Sequence, residues 1–168
     1  MSAEPVTAYL GLGSNLGTRE ENLNKALGLV SHRLRLGKTS SIYDTAPVDI
    51  PQPRFLNMVC EVSTTLPPAS LLTLLQGFEQ MLGKAPGRSG LPRFIDIDIL
   101  FYGDMVLNNP GLVIPHPRAA ERAFVLVPLA EIAPDLRHPV LRKTVKQLLR
   151  GFSGTKDVVK WKPGEAAS

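Results

Sequence analysis

Cysteine is nearly absent from this sequence: Cys60 is the only one in 168 residues. A lone thiol cannot close an internal disulfide, so no cross-link supports the fold and a reducing compartment is expected. The first residues, Met1 to Val6, lack the basic, apolar and small-residue succession of a secretory leader, which makes the cytoplasm the expected location. Long apolar runs are missing as well. Lys, Arg, Asp or Pro interrupts each hydrophobic stretch short of the roughly 20 residues that a bilayer-crossing helix needs. The histidines, His32, His116 and His138, show no metal-ligand spacing, which argues against zinc.

What is present is enough for one core. At 168 residues and 43% hydrophobic content, the chain is expected to fold as a single domain, with a catalytic body at about 6–150 and a basic C-terminal tail at 151–168. The net charge of +4 is unevenly placed, because Arg137 to Lys162 holds eight Lys or Arg against one Asp, so the rest of the chain is net acidic. That basic stretch is read as solvated surface in preference to a nucleic-acid or membrane patch.

Val6 to Gly13 reads as a strand with Val6, Ala8, Leu10 and Leu12 on one face and Tyr9 and Gly11 on the other, ended by a glycine-rich turn through Gly17. Thr18 and Glu21 have capping-box spacing, and Leu23, Ala26, Leu27, Val30 and Leu34 then predict a helix over about 19–34. Thr39 to Tyr43 predicts a short strand. Three prolines between Thr45 and Arg54 predict a long irregular loop. Phe55 to Thr64 alternates as a strand, with Leu56, Met58, Cys60 and Val62 toward a core and Phe55, Asn57 and Glu61 opposite. Pro67 and Pro68 open a second helix whose apolar stripe runs Leu71, Leu74, Leu75, Phe78, Met81, Leu82 and stops at Gly83. A second loop covers Lys84 to Pro92. In Ile95 to Phe101, Ile95, Ile97, Ile99 and Phe101 are expected in the core, with Asp96 and Asp98 together on the other face. Beyond Asp104 a short strand is expected at 105–107, with a turn at Asn109-Pro110-Gly111 and helices near 118–132 and 141–150. The order strand, helix, strand, strand, helix, strand implies an α+β sandwich of ferredoxin-like connectivity, with both helices on one sheet face, a bare face for chemistry, and C-terminal additions.

Carboxylates at i and i+2 of a strand project side by side about 6–7 Å apart, and their repulsion is relieved by a shared cation. Hard oxygen ligands beside a phosphate suit Mg²⁺, which makes Asp96 and Asp98 candidate metal ligands; a solvated strand face balanced by Arg93 is the plain alternative. Gly11, Gly13 and Gly17 are spaced one residue too long for a dinucleotide fingerprint, and Gly77 to Lys84 is no P-loop. Lys84, Arg88, Arg93, His116 and Arg122 could neutralise a polyphosphate, although each could equally be a surface group. Phe55 beside Asn57 on a polar face suits a flat heterocycle with an edge to read, with Phe124 as an opposing plate; two core rings would need no ligand. Cys60 falls on the apolar face and reads as core, not as a nucleophile.

Gly11-Leu-Gly-Ser-Asn-Leu-Gly17, Phe55-Leu-Asn57, Pro92-Arg-Phe-Ile-Asp-Ile-Asp-Ile-Leu100, and Pro115-His-Pro117 with Glu121 through Pro134, in that order, resemble the 6-hydroxymethyl-7,8-dihydropterin pyrophosphokinase family of folate biosynthesis. The resemblance implies a ferredoxin-like fold and transfer of pyrophosphate from ATP to the pterin hydroxymethyl oxygen, with AMP released. It implies that Asp96 and Asp98 bind two Mg²⁺ ions, that Arg93, His116 and Arg122 hold phosphate, and that Gln76 and Glu79 lie on the nucleotide side. Phe55 and Phe124 would sandwich the pterin, and Asn57 with Thr45 to Val48 would read its edge. The loops Thr45 to Arg54 and Lys84 to Pro92 would close over the site and exclude water. Two departures stand out. Gly90-Leu91-Pro92-Arg93 replaces a common Trp-Gly-Pro-Arg in a loop one residue short, so Arg88, with Lys84 second, is assigned the loop-cation role; Ala46 replaces a frequent proline. The expected partners are the two small-molecule substrates, with the protein a monomer that binds neither nucleic acid nor membrane. A magnesium nuclease and an RNA-binding ferredoxin-like module are the competing readings. The second lacks the aromatic strand pattern of RNA-binding sheets.

Overall fold

The computed structural model describes residues 4–47, 51–83, 94–153 and 155–161. The chain is a mixed α/β structure in which an antiparallel sheet is packed by helices on both faces. Strand β1 (Val6–Ser14) leads into helix α1 (Arg19–Arg33); β2 (Arg35–Thr39) and β3 (Tyr43–Thr45) precede the long β4 (Phe55–Thr64); α2 (Pro68–Met81) leads to β5 (Asp96–Tyr102). The hairpin β6 (Leu107–Asn109) and β7 (Leu112–Ile114) forms a small second sheet. Then follow a single 3₁₀ turn (Ala119–Glu121), α3 (Ala123–Ile132), α4 (Val145–Arg150) and β8 (Val158–Lys160). The main sheet runs β5-β1-β4-β3-β8, with β2 also on β4.

Leu23, Ala26 and Val30 of α1 and Leu71, Leu75 and Phe78 of α2 recur at helical spacing, and they pack against the Ala8, Leu10, Leu12 and Leu56, Met58, Cys60, Val62 faces of β1 and β4. Each Leu, Val, Phe or Met among them contributes about 1.5–3 kcal/mol when fully buried, and the alanines less, which makes this layer the main support of the sheet. Cys60 lies inside it, its thiol pushed up to about 12 by burial, so it is an inert core group. Pro68 opens α2 in its first turn, where its missing N–H costs nothing.

Several expectations are corrected. Thr18 does cap α1, but its side chain makes no cap hydrogen bond; the reciprocal capping box belongs to Thr144 and Gln147 at α4. The strand expected over Thr39 to Tyr43 is split into β2 and β3, because at Ser40 the backbone N–H still donates to the Val59 carbonyl at 2.8 Å but the Val59 N–H turns to the Ser40 hydroxyl at 2.9 Å in place of its carbonyl. Phe101 does not share the face of Ile95, Ile97 and Ile99. An irregularity pairs Tyr9 with Phe101 and Leu10 with Ile99, so Leu100 is an extra residue and the alternation slips by one. Leu100 and Phe101 therefore join Tyr9, Val59, Leu126 and Leu129 in a second core on the opposite face. That face is not bare, because α3 and α4 cover its far part. Met81 is 69% exposed and does not belong to the α2 stripe. The C-terminal helices start later than their apolar residues imply, α3 at Ala123 after the 3₁₀ turn and α4 at Val145.

Candidate active site

The two aspartates sit where β5 meets β1. Gly13 is the cross-strand partner of Asp96 and Gly11 that of Asp98, and Gly13 is in turn paired with Asn57 on β4. Ile97, between the acids, points into the α1/α2 core, so Asp96 and Asp98 face the other way, at the end of the sheet left open by α3 and α4. Asp96 is partly buried and Asp98 exposed.

The glycine-rich segment acts differently from a phosphate-cradling turn. Gly13 lies within β1, and a Cβ there would stand 2.6 Å from Asn57 Oδ1 and 3.6 Å from Phe55 Cδ1. Glycine is therefore required for close approach, and it leaves a floor of bare backbone between Asp96 and the Asn57 side chain. Only Gly17 supplies the left-handed turn, at φ 71°. Asn15, buried next to this floor, donates from Nδ2 to Gln52 Oε1 at 2.9 Å and to the Pro53 carbonyl at 3.1 Å. It thus anchors the segment before β4, a role that nothing in the sequence around Asn15 announces.

Asn57 is buried, and its Nδ2 donates to Thr45 Oγ1 at 2.6 Å, which fixes the amide plane and points Oδ1 toward Gly13. Phe55 is half-buried on the same side of β4. Phe124, in the first turn of α3, packs at the margin of the second core, and the Arg122 guanidinium carbon stands 5.4 Å from its ring centroid. Arg122 caps α3, its carbonyl taking the N–H groups of Val125 and Leu126.

His116 follows the cis Ile114-Pro115 bond, and its N–H donates to the Leu100 carbonyl at 2.9 Å, which ties it to β5. Its Nδ1 accepts the Arg118 N–H at 3.2 Å, leaving Nε2–H as the ring's outward donor. Burial, then the charges of Arg122 and Arg118, push its pKa below the ordinary histidine value, so the neutral ring prevails at pH 7. Glu79 is buried, and Oε2 accepts the Ile97 N–H at 2.8 Å. It therefore docks α2 onto the outer edge of β5 between the two aspartates, while Gln76 one turn earlier is exposed.

Asp96, Asp98, Thr45, Phe55 and Asn57 thus share one sheet face. Arg122, Phe124 and His116 stand at the α3 side of it, and Gln76 and Glu79 approach from the β5 edge. Val48, Lys84, Arg88 and Arg93 lie outside the described residues. Among those described, no group of three or more His, Cys, Asp and Glu could hold a metal. Two adjacent carboxylates are a poor donor set for zinc. They fit Mg²⁺, which takes one or two carboxylates and completes its shell with water and substrate phosphates.

The family model described as 7,8-dihydro-6-hydroxymethylpterin-pyrophosphokinase matches residues 9–134. Among curated relatives, the 2-amino-4-hydroxy-6-hydroxymethyldihydropteridine pyrophosphokinase of Bacillus subtilis is 44% identical over 128 residues, covering 74% of this chain and 77% of its own. The protein of the same name from Aquifex aeolicus is 39% identical over 142 residues, covering 84% and 89%. The folic acid synthesis protein fol1 of Pneumocystis carinii is 44% identical over 141 residues, but this chain spans 83% of itself and only 19% of that longer protein. Among solved structures, wild-type HPPK-DHPS of Plasmodium falciparum with pteroate superposes with a TM-score of 0.75 at 18% identity, over 89% of this chain and 45% of that one, which is a likeness of fold. With the motifs, the sheet face and these matches in agreement, the chain belongs to the 7,8-dihydro-6-hydroxymethylpterin-pyrophosphokinase family.

Proposed function

We propose that this chain transfers pyrophosphate from ATP to 6-hydroxymethyl-7,8-dihydropterin in folate biosynthesis, acting as a monomeric single domain in the cytoplasm. The pterin hydroxyl oxygen bonds to the β-phosphorus, the bond from that phosphorus to the α–β bridging oxygen breaks, AMP departs with the oxygen, and the hydroxyl proton is lost to solvent. The strand order supports a ferredoxin-like connectivity with β8 as an addition.

The single observation that carries this reading is the row Asp96, Gly13, Asn57 across three adjacent strands. It sets an acidic end for metal-bound phosphates beside a polar, aromatic end for a flat heterocycle. Asp96 and Asp98 would hold two Mg²⁺ ions, which when bound neutralise the triphosphate and activate the attacking oxygen. Asn57, fixed by Thr45, reads the pterin edge, while Phe55 and Phe124 flank its faces. His116 donates from Nε2 and Arg122 through its guanidinium to phosphate oxygens, and neutrality of His116 keeps that donor without a second buried charge. Glu79 holds β5 in register between the acids, and Gln76 remains on the nucleotide side. Val48, Arg93, Arg88 and Lys84 keep their roles on the family pattern alone.

Following AMP release from ATP and magnesium, with and without hydroxymethyldihydropterin, tests the function. Release only with the pterin present is expected; release without it, or cleavage of RNA or DNA, would reject it.

A further inference from the structure

Behind the pterin-side residues, three segments distant in sequence meet in a cluster with no part in the chemistry: the start of α1, the stretch Pro51 to Arg54 leading into β4, and the C-terminal strand β8. Arg19 Nη1 donates to the Arg54 carbonyl at 3.0 Å, and the guanidinium carbon of the same side chain lies 5.4 Å from the Trp161 ring centroid. Trp161 is itself held, its backbone N–H donating to the Ile42 carbonyl at 2.8 Å and its ring packing at the margin of the α1/α2 core. β8 pairs with β3, so Lys160 lies opposite Tyr43 and Val158 opposite Thr45. Arg54 adds a bond from Nε to Asp44 Oδ1 at 2.7 Å and a long one from Nη2 to the Asp157 carbonyl at 3.5 Å. Residues 155–161 fall outside the family match, which ends at 134.

We propose that Arg19 and Trp161 are positioning residues for the pterin site, and that the C-terminal strand braces the segment that presents Phe55. The proposal rests on the pterin reading of Phe55 and Asn57. Arg54 is the residue directly before Phe55, so whatever fixes its carbonyl fixes the peptide from which the ring springs. The exposed Arg54–Asp44 pair contributes little by itself, because solvent screens it. Arg19 does more: one side chain joins a backbone carbonyl to an aromatic ring that is anchored on the sheet. Asn15 holds Gln52 and Pro53 from the other side, so the segment is gripped at both flanks. A segment already ordered in its binding conformation loses less freedom when ligand arrives, so the brace acts on pterin affinity and leaves ATP affinity and phosphate chemistry alone.

The test is steady-state kinetics of the full chain with Arg19→Ala, Trp161→Ala, Trp161→Phe and Asn57→Ala, alongside thermal melts. Arg19→Ala and Trp161→Ala are expected to raise the pterin KM about fivefold, with the ATP KM and kcat within about twofold of the parent. Trp161→Phe, which keeps an aromatic face under Arg19, is expected to restore most of the affinity. Arg19 is partly exposed at the start of α1, so its alanine variant reads the brace even if Trp161→Ala fails to fold. An unchanged pterin KM in Arg19→Ala while Asn57→Ala raises it would overturn the brace and leave the pterin site standing. Equal rises in both substrates' KM values would also overturn it, as a general loosening. No effect from Asn57→Ala would remove the pterin reading and the brace with it.

Discussion

Replacing Gly13 by alanine is a small change with a large calculated consequence. The backbone is extended β-strand, so alanine fits its conformation and even gains about 0.4–1 kcal/mol by reducing the freedom of the unfolded chain. Against this, the new Cβ would stand 2.6 Å from Asn57 Oδ1, closer than non-bonded atoms tolerate. Asn57 cannot simply swing aside, because its Nδ2 is tied to Thr45 Oγ1 at 2.6 Å in a buried site. Displacing it costs about 0.5–1.5 kcal/mol in rotamer strain and about 1–3 kcal/mol for the broken buried hydrogen bond. The net cost to folding is about 0.5–4 kcal/mol; the unfolded-chain gain has no bearing on binding, and about 1–3 kcal/mol of the Asn57 displacement cost carried into the pterin-bound state lowers affinity about 5- to 150-fold. Isothermal calorimetry of the pterin with a non-hydrolysable ATP analogue and Mg²⁺ measures it directly. Gly11→Ala is the control, since its Cβ would meet the flexible tip of Leu100 at 3.3 Å. Wild-type pterin affinity in Gly13→Ala, or an equal loss in Gly11→Ala, would refute the reasoning.

Phe124→Ala should weaken pterin binding by at least about tenfold while changing ATP binding much less, measured by the two KM values; equal losses would take Phe124 out of the pterin pocket. Stability should fall as the pH drops below the ordinary histidine value of about 6.5. Burial lowers the His138 pKa, and its Nδ1 accepts the N–H groups of Val140 and Leu141, so the unfolded chain takes up the proton first; His116 behaves likewise. Stability from these rings is therefore present above about pH 6.5 and is lost as pH falls through their lower folded values. Urea melts at pH 7.5 and 5.5 should show this, and a smaller drop in His138→Gln.

The parts of the fold legible in sequence were those set by short periods. β4 appeared with its observed ends because Leu56, Met58, Cys60 and Val62 alternate without interruption, and α2 because Pro68 and Gly83 punctuate a strong stripe. The pairing of Asp96 with Asp98 follows from strand period alone. What escaped depended on partners far along the chain. The slip at Leu100 that sends Phe101 to the second core is an offset between β1 and β5, and no property of β5 by itself announces it. The role of Gly13 needs Asn57, 44 positions later, to be placed opposite it. Likewise Asn15, Arg19 and Trp161 show their purpose only once Pro51 to Arg54 lies between them.

The claim on which the rest depends is that Asp96 and Asp98 jointly hold the metal that grips the triphosphate. It is tested most directly by the turnover of Asp96→Asn and Asp98→Asn at saturating magnesium, each checked for an unchanged melting temperature. A loss of activity of at least about a thousandfold in both, with the fold intact, is predicted. Either variant turning over within about tenfold of the parent would contradict it.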